Sequence, residues 1–199
     1  MLLVGEPKCF KCGKPIDNDE ISFCMDCAQE KRYFDKGIAL WRNEGIVSEC
    51  IYRFKFENQR NYGDMIGYLM VEALKEWIIK MNPQVLIPVP LYKTRRRERG
   101  YNQALLLANR IGSLLNIPVR EYVLRIKKTT AQKHLGKIER RRNINKAFRV
   151  VDGMPKVKRV LIVDDIFTSG STINELAKIL KQEGVLHVCF LTISIGQER

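Results

Sequence analysis

Three features of this 199-residue sequence predict an α/β domain wound on a mainly parallel sheet, with a small metal-bound cysteine knuckle at its N-terminus. Apolar, strand-like segments alternate with amphipathic helical ones along most of the chain. One of them, Val160 to Val163, is wholly apolar, as a central parallel strand covered on both faces must be. The pairs Cys9-x2-Cys12 and Cys24-x2-Cys27 have the spacing of a four-thiolate metal site.

The knuckle comes first. A two-residue gap lets one tight turn aim both thiolates at a single ion, and two such turns complete a tetrahedron. Gly13, directly after the first pair, suits a turn that needs positive φ. A segment this short buries too little surface to fold alone, so a metal would supply the missing stability. A redox dithiol or two disulfides are the alternatives, but a redox Cys-x2-Cys normally follows a strand of a thioredoxin-like fold, and nothing here resembles one. Structural zinc held by Cys9, Cys12, Cys24 and Cys27 is the expectation, with no open position for catalysis. The remaining cysteines, Cys50 and Cys189, read as small buried hydrophobes.

Residues 28–45 read as a connector ending at the turn Asn43-Glu44-Gly45. Val47, Cys50, Ile51 and Phe54 then recur at helical spacing. A longer helix follows Asn61, with Ile66, Leu69, Met70, Ala73, Leu74, Trp77 and Ile78 on one face, and Asn82-Pro83 ends it. Val85 to Ile87 is a short buried strand. Gln103 to Leu115 is a helix with Ala104, Leu107, Ala108, Ile111 and Leu115 inward, and Val119 to Ile126 alternates like a strand. Residues 127–146 are basic with little apolar face and read as a loop with a short helix. After the strand at Val160, a helix carries Ile173, Leu176, Ala177 and Leu180 and closes at Gly184. Val185 to Ile195 is the last strand.

The chemistry concentrates after Val163. Ligands of open α/β sheets lie beyond the carboxyl ends of the strands, where Asp164-Asp165 sits. Thr168-Ser169-Gly170-Ser171-Thr172 follows, then a helix. Small hydroxyl residues around Gly170 let successive backbone N–H groups converge on an anion at a helix N-terminus. The carboxylates would repel that anion, so their role is to accept hydrogen bonds from sugar hydroxyls or to attract Mg²⁺ through its waters. Successive strand residues point to opposite faces, so both aspartates reach one ligand only if the chain turns at Asp165. Either half alone would pass for a solvated strand end or an ordinary helix cap; their combination behind an apolar strand argues for a site.

Charge is unevenly placed. The net +13 resolves into −1 over residues 1–92, +16 over 93–159 and −2 over 160–199. A concentrated basic block implies a polyanionic partner rather than general solubility. No apolar run approaches the roughly 18 residues of a membrane span. Residues Met1 to Lys8 do not resemble a signal peptide, so a cytoplasmic protein without membrane insertion is expected.

Residues 160–172 resemble the signature of type I phosphoribosyltransferases. Pro88-Val89-Pro90-Leu91, Arg97-x-Arg99-Gly100-Tyr101-Asn102-Gln103-Ala104, Thr130-x-Gln132 and Arg140-x2-Asn143-x3-Ala147-Phe148 narrow the resemblance to the ComF family, the competence-associated homologues, and the cysteine knuckle fits it too. The resemblance covers nearly the whole chain and implies a type I phosphoribosyltransferase fold. It implies a knuckle over residues 1–36 and a phosphoribosyltransferase-like domain over 37–199, with a helical hood at 37–83 and a core at 84–199. The ligand would be 5-phosphoribosyl-1-pyrophosphate (PRPP) with Mg²⁺. Asp164 and Asp165 would hold the ribose hydroxyls, and Thr168, Ser169, Gly170, Ser171 and Thr172 would cradle the 5-phosphate. The loop running from Val89 to Asn102, with Arg97 and Arg99, would take the pyrophosphate, and residues 127–146 would form a lid. The family's association is natural transformation, the handling of incoming single-stranded DNA beside a helicase-like ATPase.

PRPP carries only about four to five negative charges, fewer than the basic block offers. Lys93, Arg95, Arg96, Arg140, Arg141 and Arg142 are therefore candidates for a nucleic-acid backbone, and Tyr92, Tyr101 and Phe148 for base stacking. Three functions stay open at this point: glycosyl transfer from PRPP, PRPP-dependent handling of single-stranded DNA without turnover, and an adaptor whose knuckle docks a DNA-translocating ATPase.

Overall fold

The computed structural model describes residues 3–127, 144 and 146–196. After the knuckle and a one-turn helix α1 (Met25–Gln29), strand β1 (Lys36–Arg42) leads into helices α2 (Gly45–Phe56) and α3 (Asn61–Met81). Strand β2 (Val85–Pro88) is followed by helices α4 (Lys93–Arg99) and α5 (Gln103–Leu115). Short strands β3 (Val123–Arg125) and β4 (Phe148–Val150) precede β5 (Arg159–Phe167), helix α6 (Ser171–Gln182) and β6 (His187–Ile195).

The main sheet runs β1-β6-β5-β2, with every neighbouring pair parallel. The apolar strand predicted at Val160 lies inside it, Val160 to Val163 pairing with Val85 to Pro88 on one side and Val188 to Leu191 on the other. Alternation divides that strand between two cores. Val160 and Ile162 pack with Phe34, Phe167, Phe190, Leu176 and the knuckle's Cys9 and Cys12. Leu161 and Val163 pack with Phe54, Ile66, Met70 and Leu107 from α2, α3 and α5. Both cores are closed, which is why this strand tolerates no polar residue before Asp164.

Three expectations change. Residues 28–45 are not merely a connector, since β1 pairs along β6 from Lys36↔Cys189 to Arg42↔Ile195. Its charged ends and the glycine at its second position mask the strand pattern, yet Gly37 is required: a Cβ there would stand 2.0 Å from the Phe190 ring. The stretch after Val89 is not all loop, because α4 occupies most of it, closed by Gly100 in the left-handed conformation at φ 73°. Val119 to Ile126 is not one strand. Val119 makes a single parallel bridge to Leu86, and β3 then turns away to pair antiparallel with β4.

Helix α6 ends close to where the sequence placed its stop, with Glu183 as C-cap and Gly184 next at φ 90°. Cys189 is buried as expected, whereas Cys50 on α2 is only partly buried. Most of the basic stretch 127–146 lies outside the described residues. No helix among the described residues is long and apolar enough to cross a membrane.

Candidate functional site

The four cysteines predicted as ligands converge. Their sulfurs all lie within 4.8 Å of one another, with Cys12 and Cys24 at 3.6 Å. Zinc–thiolate bonds of about 2.3 Å in a tetrahedron give sulfur separations near this value. Both turns are stabilised locally, by Gly13 N–H donating to Cys9 O and by Cys27 and Ala28 N–H donating to Cys24 O. Crowding makes the thiols compete for protons. Hydrogen bonding from Cys12 first lowers Cys9 and takes Cys24 down to about 7, while Cys24 foremost raises Cys12. A bound divalent cation would hold all four as thiolates and remove that conflict. The donor set is therefore compatible with one zinc ion.

A second site opens at the carboxyl end of the sheet, a cavity of about 900 Å³. Asp164, Asp165, Thr168, Ser169, Gly170, Ser171 and Thr172 line it together with Arg95, Arg97 and Arg99 from α4. The strand does not turn at the acidic pair. It stays in register through Phe167↔Ile195, and Asp165 N–H leaves the ladder locally to donate to Asp164 Oδ1 at 2.9 Å. Both aspartates nonetheless border one cavity. Loss of water around Asp164, and then the charge of Asp165, raise its pKa to about 7.

Gly170 caps α6 at φ 73°, a conformation that suits glycine. Asn174 N–H donates to Gly170 O at 2.8 Å. The hydroxyls of Ser169 and Ser171 lie 2.9 Å apart and buried. Ser171, Thr172 and Ile173 in the first turn of this helix border the cavity, and a helix N-terminus is an arrangement that suits a phosphate.

Several cavity residues were not singled out in the sequence. Lys55, at the end of α2, pairs with Asp165 at 2.9 Å with both side chains largely buried. Asn43, Phe56, Asn58 and Arg60 complete that wall, and Arg125 of β3 closes another side. Burial lowers Arg125 to about 10 and shifts Arg99 the same way. Only the general basic character of Arg125 was visible in sequence. Lys55 carried no signal at all, since a lysine in an amphipathic helix reads as a solvated face.

The Arg99–Gln103 motif acts largely as a clamp. The Tyr101 hydroxyl and Gln103 Nε2 both donate to Phe54 O at the end of α2. Asn102 caps α5 by accepting from Ala104 N–H and donates to Val89 O at 3.0 Å. These bonds fix α4, and with it Arg95, Arg97 and Arg99, beside the acidic pair. Lys93 and Arg96 are exposed away from the cavity lining, Arg96 within 3.6 Å of Glu121. Arg140, Arg141 and Arg142 lie outside the described residues. Of the aromatics expected to stack on bases, Tyr101 and Phe148 are buried in the cores. Tyr52 and Phe56 are the exposed pair at this end, with ring centroids 5.0 Å apart and the Arg99 guanidinium 4.9 Å from Phe56.

A parallel sheet with an acidic pair and a hydroxyl-glycine loop at its carboxyl end defines a phosphoribosyltransferase-type domain, and residues 102–194 match the phosphoribosyl transferase domain family. The chain is 34% identical over 186 residues to Competence protein F of Haemophilus influenzae, covering 90% of this chain and 80% of that protein. It is 27% identical over 188 residues to the DNA utilization protein YhgH of Salmonella typhimurium (90% and 80% covered). It is 26% identical over 186 residues to Competence protein ComFC of Bacillus subtilis (88% and 72% covered). The chain belongs to the competence protein F family, with a type I phosphoribosyltransferase fold and an N-terminal four-cysteine knuckle.

Proposed function

We propose that this protein binds PRPP at the carboxyl end of its sheet and acts in DNA uptake. The observation that carries the reading is a single cavity bordered by the acidic pair, the loop 168–172 and the arginines of α4. In this reading the loop amides seat the 5-phosphate, Asp164 and Asp165 accept hydrogen bonds from the ribose hydroxyls, and Arg97 and Arg99 face the pyrophosphate. Mg²⁺ bound with PRPP would offset pyrophosphate charge; the carboxylates suit such an oxygen-preferring cation through its waters. Zinc is the ion assigned to the knuckle. The role in DNA uptake rests on the names of the relatives.

Calorimetry with Mg²⁺-PRPP tests the site. Parent protein should bind, and Asp164→Asn with Asp165→Asn should lose binding; unchanged affinity in the double variant would mean that the site lies elsewhere. Pyrophosphate release across candidate acceptors then separates glycosyl transfer from binding alone.

Single-stranded DNA is the second ligand of this reading. Exposed Lys93 and Arg96 offer charge that a ligand within the cavity does not meet, and Tyr52 and Phe56 beside Arg99 are a stacking surface. A helicase-like ATPase is the protein partner assigned, with exposed Phe10, Phe23 and Met25 of the knuckle as its contact.

A further inference from the structure

We propose that Arg32 is a positioning residue for the phosphate loop, coupling the cysteine knuckle to the anion site as one mechanical unit. The proposal rests on the reading of residues 168–172 as that site. Arg32 leaves the knuckle five residues after Cys27, and its side chain is only 2% exposed. Burying a guanidinium is costly unless its hydrogen bonds are used. Nη2 meets Glu30 Oε2 at 2.9 Å, and Nη1 donates to Ser169 O at 2.9 Å across 137 residues of sequence.

The second bond sets an orientation. Ser169 C=O and Gly170 N–H belong to one peptide plane and, in a trans peptide, point in opposite directions. Anchoring the carbonyl behind the loop therefore turns Gly170 N–H away from Arg32, on the side where an anion would sit. The loop has no slack against this anchor. A Cβ at Gly170 would lie 3.3 Å from Arg32 Nη1 and 2.6 Å from the Phe167 ring.

A strap beside it does the same for the start of α6. Tyr33 N–H donates to Asn174 Oδ1 at 2.7 Å, and Asn174 Nδ2 donates to Lys31 O at 3.3 Å. On the knuckle side, Glu30 N–H donates to Asp26 O, and Asp26 pairs with buried Lys14 at 2.8 Å. Lys14 Nζ in turn stands 5.9 Å from the centroid of Phe167, the ring against which Gly170 packs. The segment after the knuckle thus reaches the start of α6 through Asn174 and the loop itself through Arg32, while Phe167 links knuckle and loop by packing. The Arg32 bond is the one made directly to the loop's backbone.

The experiment uses the full chain with its metal, as parent, Arg32→Met and Arg32→Lys, titrated calorimetrically with ribose 5-phosphate. Amide exchange at residues 169–172 and across β6 is followed in parallel, with metal content as a control. The Met variant should keep its metal and its β6 protection, exchange faster at 169–172, and bind about tenfold more weakly, the loss expected for one buried charge-assisted hydrogen bond. The Lys variant should recover part of both, because an ammonium can still donate to Ser169 O. Parent-like affinity and loop exchange in the Met variant would overturn the proposal, as would protection lost equally from loop and β6. A parent that ignores ribose 5-phosphate would instead overturn the phosphate-site reading, and loop exchange would still decide the role of Arg32.

Discussion

The two walls of the cavity are built in different ways. One is contiguous: Asp164 to Thr172 supplies the acidic pair, the left-handed glycine and the helix N-terminus from nine consecutive residues. The opposite wall is assembled from Asn43, Lys55, Phe56, Asn58, Arg60, the arginines of α4 and Arg125, which come from separate elements. The contiguous wall depends on backbone conformation, so its residue types are constrained one by one. The assembled wall depends on side chains delivered by helices, connections and strand β3, with the turn between α4 and α5 held at Phe54 O and Val89 O. A wall of the first kind should fail abruptly when its backbone is disturbed; the second should weaken by increments.

The sharpest contrast is therefore between Gly170→Ala and Lys55→Met. Gly170→Ala forces a side chain onto a backbone at φ 73° and a Cβ within 2.6 Å of the Phe167 ring. It should reduce PRPP affinity by about a hundredfold and cost about 1–3 kcal/mol in denaturant unfolding. Near-parental binding would show that the loop is not held in that conformation. Lys55→Met removes the ion pair with Asp165 and should weaken PRPP by about tenfold while the loop stays formed, since it deletes one charge-assisted contact. If calorimetry gave the two variants equal losses, the distinction between the walls would collapse.

A pH effect separates the acidic pair from both. Asp164 has a folded-state pKa of about 7 against an ordinary 3.8. Between these values the folded protein holds a proton that the unfolded chain has released, so the stabilising contribution is full below about 4 and gone above about 7. Asp164→Asn should abolish this slope, gaining stability over the parent at pH 8 more than at pH 4 in calorimetric melts. Parallel melting curves for parent and variant across that window would show that Asp164 ionises normally.

The smallest effect is expected for the basic segment. Arg140, Arg141 and Arg142 replaced by Ala should flatten the salt dependence of single-stranded DNA binding by about two units of log–log slope, at roughly 0.7 per lost phosphate contact. PRPP affinity should change less. DNA binding that is insensitive to salt in the parent would remove the nucleic-acid reading of this block.

Much of this was legible in sequence, for a definite reason in each case. The four cysteines and their spacing point to one four-thiolate cluster because turn geometry is local. Val160 to Val163 announces a strand covered on both faces because only burial tolerates four consecutive apolar residues followed by two aspartates. The hydroxyl-glycine loop is readable because left-handed backbone and close approach restrict the residue types that fit. These are properties of neighbouring residues, and they determine the fold class, the knuckle and one wall of the cavity.

Tertiary structure alone decided the rest. Strand β1 hid in an apparent connector because its glycine serves the Phe190 ring, a partner 153 residues away. Tyr101 looked available to a nucleic acid until its hydroxyl was seen bonded to Phe54 O inside the core. Neither Lys55 nor Arg32 was singled out in the sequence, and both side chains are largely buried, Lys55 against the acidic pair and Arg32 against the loop. A lysine or arginine has a long side chain that local sequence pattern does not aim. Which carboxylate or carbonyl it reaches follows from how the elements pack, and one sequence carries no local record of that.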